Sequence, residues 1–153
     1  MKALTRGLMT IALLAATAAC DGSPTEASSF VAGDGISAAP PPAPGTLTFT
    51  ATQSYSEQTP QTASGGTGTI NFTGSIYSPT PCYSVSASNA NRKGVITLTV
   101  TAASTGGTCT QVITNNNYTG SISGLAAGTY TFNVVHVTNG TSETAYSSTV
   151  TVQ

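Results

Sequence analysis

Charge is scarce in this chain of 153 residues: charged side chains make up 6% of it, and tryptophan is absent. There is no cluster of Lys and Arg of the kind that neutralises phosphates, so nucleic acid is excluded as a partner. Histidine occurs once, and the three cysteines form no C-x-x-C pair, which leaves a zinc centre without its ligand set. Neither G-x-S-x-G nor H-E-x-x-H is present. No cofactor and no metal are expected. After residue 20 no run is apolar enough for a membrane-spanning helix, which needs about 20 such residues.

What is there divides the chain into three parts. Residues 1–19 carry Lys2 and Arg6, then a short apolar stretch from Leu8 through Leu14 and the following alanines. A positive start followed by a short apolar core is the pattern of an export signal. Residues 20–45 are rich in Ser, Gly, Ala and Pro and end in Ala38-Ala39-Pro40-Pro41-Pro42-Ala43-Pro44-Gly45. Proline removes backbone donors and favours extended geometry, so this stretch reads as a disordered linker outside any sheet. Residues 46–153 form the folding unit, in which 25 of 108 residues are Thr. From Cys20 onward the net charge is −3, but three of the five acids precede residue 46, so the folding unit is close to neutral.

In that third part the hydrophobic period is two. Leu47, Phe49 and Ala51 mark a first strand, and a Ser-, Gln- and Gly-rich loop follows. Ile70, Phe72 and Ile76 mark a second strand, which Ser78-Pro79-Thr80-Pro81 ends. Tyr83, Val85 and Ala87 mark a third, closed by a turn over Asn89–Gly94. Ile96, Leu98, Val100 and Ala102 give the cleanest alternation in the chain. Residues 109–123 hold one strand or two, with Asn115-Asn116-Asn117 as a bulge or a hairpin tip. Strands at 129–137 and 144–152 flank the turn Asn139-Gly140. About seven short antiparallel strands, with no helical period after residue 20, predict an all-β fold and a single β-sandwich. A jelly roll or another small β-barrel is the alternative.

Two stretches resemble known families. Thr17-Ala18-Ala19-Cys20, closing the export signal, resembles the lipobox of bacterial lipoproteins. That resemblance implies a diacylated Cys20, a membrane anchor and a place in the bacterial cell envelope, facing the periplasm or the cell surface. Thr17 stands where the family usually has Leu, and Ala16-Thr17-Ala18 offers ordinary cleavage after Ala18, which would give a secreted protein. Gly124-Leu125-Ala126-Ala127-Gly128-Thr129-Tyr130 resembles the corner of immunoglobulin-like and fibronectin type III-like sandwiches. The resemblance implies an immunoglobulin-like sandwich in which Leu125, Gly128 and Tyr130 form a structural corner, with the Tyr130 hydroxyl bound to nearby backbone. The buried Trp and inter-sheet cysteine pair of antibody domains are absent.

With Cys20 lipidated, Cys82 and Cys109 remain as a pair. Their connections fall at one end of a sandwich, and an exported compartment permits a disulfide between them. His136 extends the Tyr130-Phe132-Val134 row and is read as a structural residue near the sheet rim. Glu57 and Glu143 are expected in loops at opposite ends, too far apart for paired carboxylate catalysis, which needs roughly 5–10 Å. Arg92 and Lys93 tip a turn, as a solvated pair or a weak contact for anionic polymer or lipid headgroups. Tyr55, Tyr77 and Tyr146 are packing residues or aromatic contacts for a ligand.

These readings lead to a non-enzymatic lipoprotein of the cell envelope, tethered through Cys20. Its partners would be the membrane and either envelope polysaccharide or another protein. The alternative is a secreted hydrolase inhibitor that presents Ser78-Pro79-Thr80-Pro81-Cys82 as a stapled loop.

Overall fold

The computed structural model describes residues 43–153, which contain eight strands and no helix. They are β1 (Thr46–Ser54), β2 (Thr62–Gly66), β3 (Thr69–Ser78), β4 (Tyr83–Arg92), β5 (Val95–Ser104), β6 (Thr114–Ser123), β7 (Gly128–Thr138) and β8 (Thr141–Val152). One four-stranded sheet runs β1-β6-β3-β2 and the other β4-β5-β7-β8. The all-β sandwich that the period-two pattern predicts is the fold. Cys20 and the stretches expected to form an export signal and a linker, up to residue 42, lie outside the described residues.

The alternating residues meet between the sheets. Ile70, Phe72 and Ile76 of β3 and Tyr118 and Ile122 of β6 face Ile96, Leu98 and Val100 of β5, Phe132 and Val134 of β7, and Val150 and Val152 of β8. Phe72 and Phe132 stack across the layers with centroids 5.9 Å apart. Each such apolar side chain, fully buried, contributes about 1.5–3 kcal/mol.

Three features depart from the expected chain path. First, there are eight strands rather than seven, because Thr62–Gly66 pairs with β3. This segment has no apolar alternation. Its backbone lies against β8 instead, with Gln153 N donating to Gly66 O at 3.0 Å and Gly68 N donating to Gln153 O at 2.9 Å. At Gly65 any Cβ would collide with the carbonyl of Thr151, so only glycine permits the approach. Second, β5 and β7 pair in parallel, whereas every other ladder is antiparallel. Third, Asn115-Asn116-Asn117 is neither bulge nor hairpin tip but sits inside β6. Asn116 Nδ2 donates inward to Ser78 Oγ at 2.9 Å, and Asn117 Oδ1 accepts from Thr59 N at 2.9 Å on the outer face. Those partners make asparagine tolerable in a strand.

The turn expected over Asn89–Gly94 tightens to Lys93-Gly94, both at positive φ (53° and 81°), as a two-residue hairpin of this hand requires. Asn139-Gly140 repeats the same turn between β7 and β8.

Strand directions sort the connections into two ends. At the near end lie Thr46, where the chain enters β1, the turns after β2 and β4, the corner after β6, and Gln153. At the far end lie loops 55–61, 79–82 and 105–113 and the Asn139-Gly140 turn. Glu57 and Glu143 therefore share the far end, which corrects the expectation of opposite ends. Because β2 intervenes, β1 and β3 run in the same direction, which brings the β7–β8 turn to the end that holds loop 55–61.

Candidate functional site

A cleft of about 350 Å³ opens at the far end. Ser75, Ile76 and Tyr77 of β3 form one wall, and His136 and Thr138 of β7 with Thr141 and Glu143 of β8 form the other; Gln58 reaches in from loop 55–61. A bulge in β8 builds the second wall. Val134 pairs with Tyr146 but Val135 pairs with Thr144, so Ala145 is the extra residue. Without it, strict alternation from Val152, Val150, Ser148 and Tyr146 would turn Thr144 and Ser142 inward. With it, Glu143 stands beside His136 and Thr141 beside Thr138, on the inner face.

His136 is buried, and its Nε2 lies 2.9 Å from Tyr118 Oη. Tyr118 Oη is also 2.7 Å from Gln61 Oε1, which can only accept. The hydroxyl has one proton, so it donates to Gln61 and accepts from His136. The network thus assigns a proton to His136 Nε2. Gln61 Nε2 donates onward to the Ser75 carbonyl at 3.1 Å, and its 3.4 Å approach to His136 Nε2 sets two donors side by side. Burial holds the His136 ring below the ordinary histidine range, and the Glu143 carboxylate works against that shift. Burial pushes the Tyr118 hydroxyl up to about 12, opposed by the hydrogen bond to Gln61.

The residues singled out by sequence are scattered over the molecule. Tyr77 lines the cleft and is 49% exposed, and Glu143 lines it too. Tyr55 is exposed in a far-end loop, and Tyr146 is half-buried against the core. Arg92 and Lys93 lie at the near end, away from the cleft. Cys82 and Cys109 form a disulfide with Cα atoms 6.0 Å apart, joining loops 79–82 and 105–113. At the corner, Leu125 is buried and its N donates to Gly68 O at 3.1 Å, while Tyr130 Oη donates to Ala126 O at 2.9 Å. Gly128 opens β7 directly after that corner.

Sequence reasoning missed Gln58, Gln61, Ser75 and Tyr118. The signal for Tyr118 was its parity with Ile122, which an asparagine run obscures; Gln61 carried none, because its role depends on where β2 begins. Among the described residues there is no group of three or more His, Cys, Asp or Glu side chains able to hold a metal ion.

Residues 72–152 match the ORF11 beta-sandwich domain, a span that includes every cleft residue except Gln58. No curated protein and no solved structure matches the chain. Since the match covers more than half of the sequence, this protein belongs to the ORF11 beta-sandwich domain family.

Proposed function

We propose that the protein is a non-enzymatic lipoprotein of the bacterial cell envelope, tethered through Cys20, whose sandwich presents the far-end cleft to a partner protein or an envelope polysaccharide. The observation that carries this reading is the position of the cleft: the linker joins at Thr46, and the cleft opens at the opposite end. A domain held by its near end offers its far end outward. Arg92 and Lys93, at the tethered end, would then face anionic headgroups. The His136 Nε2 proton is given to Tyr118, which suits a fixed binding wall better than proton transfer to a substrate.

The test is a comparison of membrane association and envelope binding. Cys20→Ser is expected to move the protein from the membrane fraction to the soluble one. Thr138→Arg combined with Glu143→Arg, which fills the cleft and reverses its charge, is expected to abolish retention of the soluble form on isolated envelopes, with Arg92 and Lys93 left intact. Membrane association unchanged by Cys20→Ser contradicts the tether, and retention unchanged by the cleft variants contradicts the cleft.

One observation favours the inhibitor reading. The disulfide staples loop 105–113, in which Val112 (42%) and Ile113 (59%) are exposed, an apolar pair suited to a hydrolase subsite. Nanomolar inhibition in a panel of hydrolases would replace the leading proposal with this one.

A further inference from the structure

Strand β3 runs from Thr69 to Ser78, but β2 pairs with it only from Thr69 to Thr73. Continuing the register from Thr62↔Thr73 would set Pro60 opposite Ser75. Proline has no N–H to give the Ser75 carbonyl, so the ladder stops there. The Gln61 side chain takes the missing rung, donating from Nε2 to Ser75 O. Among the described residues no such substitute stands one rung further on. Ser75 O faces the β2 side, while Ile76 O faces β6, where Asn116 Nδ2 reaches it at 3.4 Å. By alternation the N–H and C=O of Tyr77 face the β2 side, beyond Thr62, where β2 begins. This edge also carries none of the lysines or prolines that usually blunt one before Pro79 ends the strand.

We propose that this edge of β3 at Ile76 to Ser78, beyond the rung that Gln61 fills, takes an extended basic peptide segment of a partner protein by strand addition. The proposal rests on the reading of the far-end cleft as the binding site and names its ligand class. Tyr77 offers one donor and one acceptor at the spacing of a β-ladder, the pattern that a peptide backbone returns and a sugar ring does not. The cleft beside it receives the alternate side chains. Its single charged wall residue is Glu143, and the only other charged side chain at this end among the described residues is Glu57; Arg92 and Lys93 lie at the other end. A Lys or Arg on the incoming strand is therefore matched, and an acidic strand is repelled.

The test uses the full 15N-labelled chain, a five-residue peptide of sequence Thr-Val-Lys-Val-Thr capped at both ends, its backbone N-methylated analogue, and a chitin oligosaccharide. The expected result is a shift of the Ser75 and Tyr77 amide signals by the peptide, slowed exchange of the Tyr77 amide, and roughly fivefold weaker binding of the N-methylated analogue. Tyr77→Pro, which removes the edge donor, is expected to weaken peptide binding as the analogue does, whereas Tyr77→Ala keeps the donor and should retain binding. Glu143→Gln should flatten the salt dependence. Equal binding of the peptide and its N-methylated analogue overturns the proposal, and so does the absence of any shift at Tyr77 up to millimolar peptide. A shift caused by the oligosaccharide alone also overturns it, while leaving the cleft as a binding site.

Discussion

Tyr118 Oη stands between His136 Nε2 at 2.9 Å and Gln61 Oε1 at 2.7 Å, linking both sheets to the loop that covers them. Tyr118 belongs to β6, His136 to β7, and Gln61 immediately precedes β2. A single hydroxyl therefore fixes the ring of His136 and the side chain that ends the β2–β3 ladder. Tyr118→Phe keeps the ring contacts with Phe49 and Phe72 but leaves a buried N–H and an amide oxygen unpaired. The expected cost is about 1–3 kcal/mol, read as a lower urea midpoint at unchanged slope. A midpoint equal to that of the wild type would show that the network does not hold the far end together.

The same network sets a dependence on pH. His136 titrates below its ordinary value because burial penalises the charged ring. In the unfolded chain the ring takes a proton near pH 6.5, while the folded chain resists doing so. The unfolded state thus binds more protons below that pH, and stability falls as pH drops from about 6.5 toward the folded-state value. Above pH 6.5 the contribution is complete. Urea unfolding at a series of pH values is expected to show this slope in the wild type and to lose it in His136→Asn.

The disulfide is the strongest single constraint on the far-end loops. Cys82 and Cys109 are 27 positions apart, and closing a loop of that size stabilises the fold by about 3–4 kcal/mol in the chain-entropy model. Cys82→Ser with Cys109→Ser should lower stability by that amount while preserving the strand content. Thr105 N still donates to Cys82 O at 2.9 Å through backbone alone, so the two loops keep one contact without the sulfurs.

Packing at Gly120 leaves no room for a side chain. A Cβ there would meet the Thr48 carbonyl and lie 2.6 Å from Phe72 Cζ, inside the core. Gly120→Ala is expected to cost about 3 kcal/mol or more, because both neighbours are held by their strands. Thermal unfolding by circular dichroism reads the effect.

The core was legible because it obeys a period: Ile96, Leu98, Val100 and Ala102 alternate in sequence as they do in β5. Tyr130 and the cysteine pair were legible from local pattern and from counting. The edge strand was not. Thr62–Gly66 has no apolar face, and what makes it a strand is close approach to β8, a long-range contact that its two glycines permit but do not announce. Missing that strand also misplaced Glu57. The cleft was hidden for a related reason. Glu143 faces inward only because Ala145 is bulged, and no pattern of residue types distinguishes that from strict alternation. The parallel pairing of β5 with β7 depends on how two hairpins dock, which periodicity does not encode.

The most direct test of the tethered, stapled module is the intact mass of the protein purified from its native host, before and after reduction. The account predicts a chain that begins at Cys20 with added acyl groups and gains the mass of two hydrogens on reduction. An unacylated chain cleaved after Ala18 would contradict it and describe a soluble secreted protein, with the inhibitor reading then ahead.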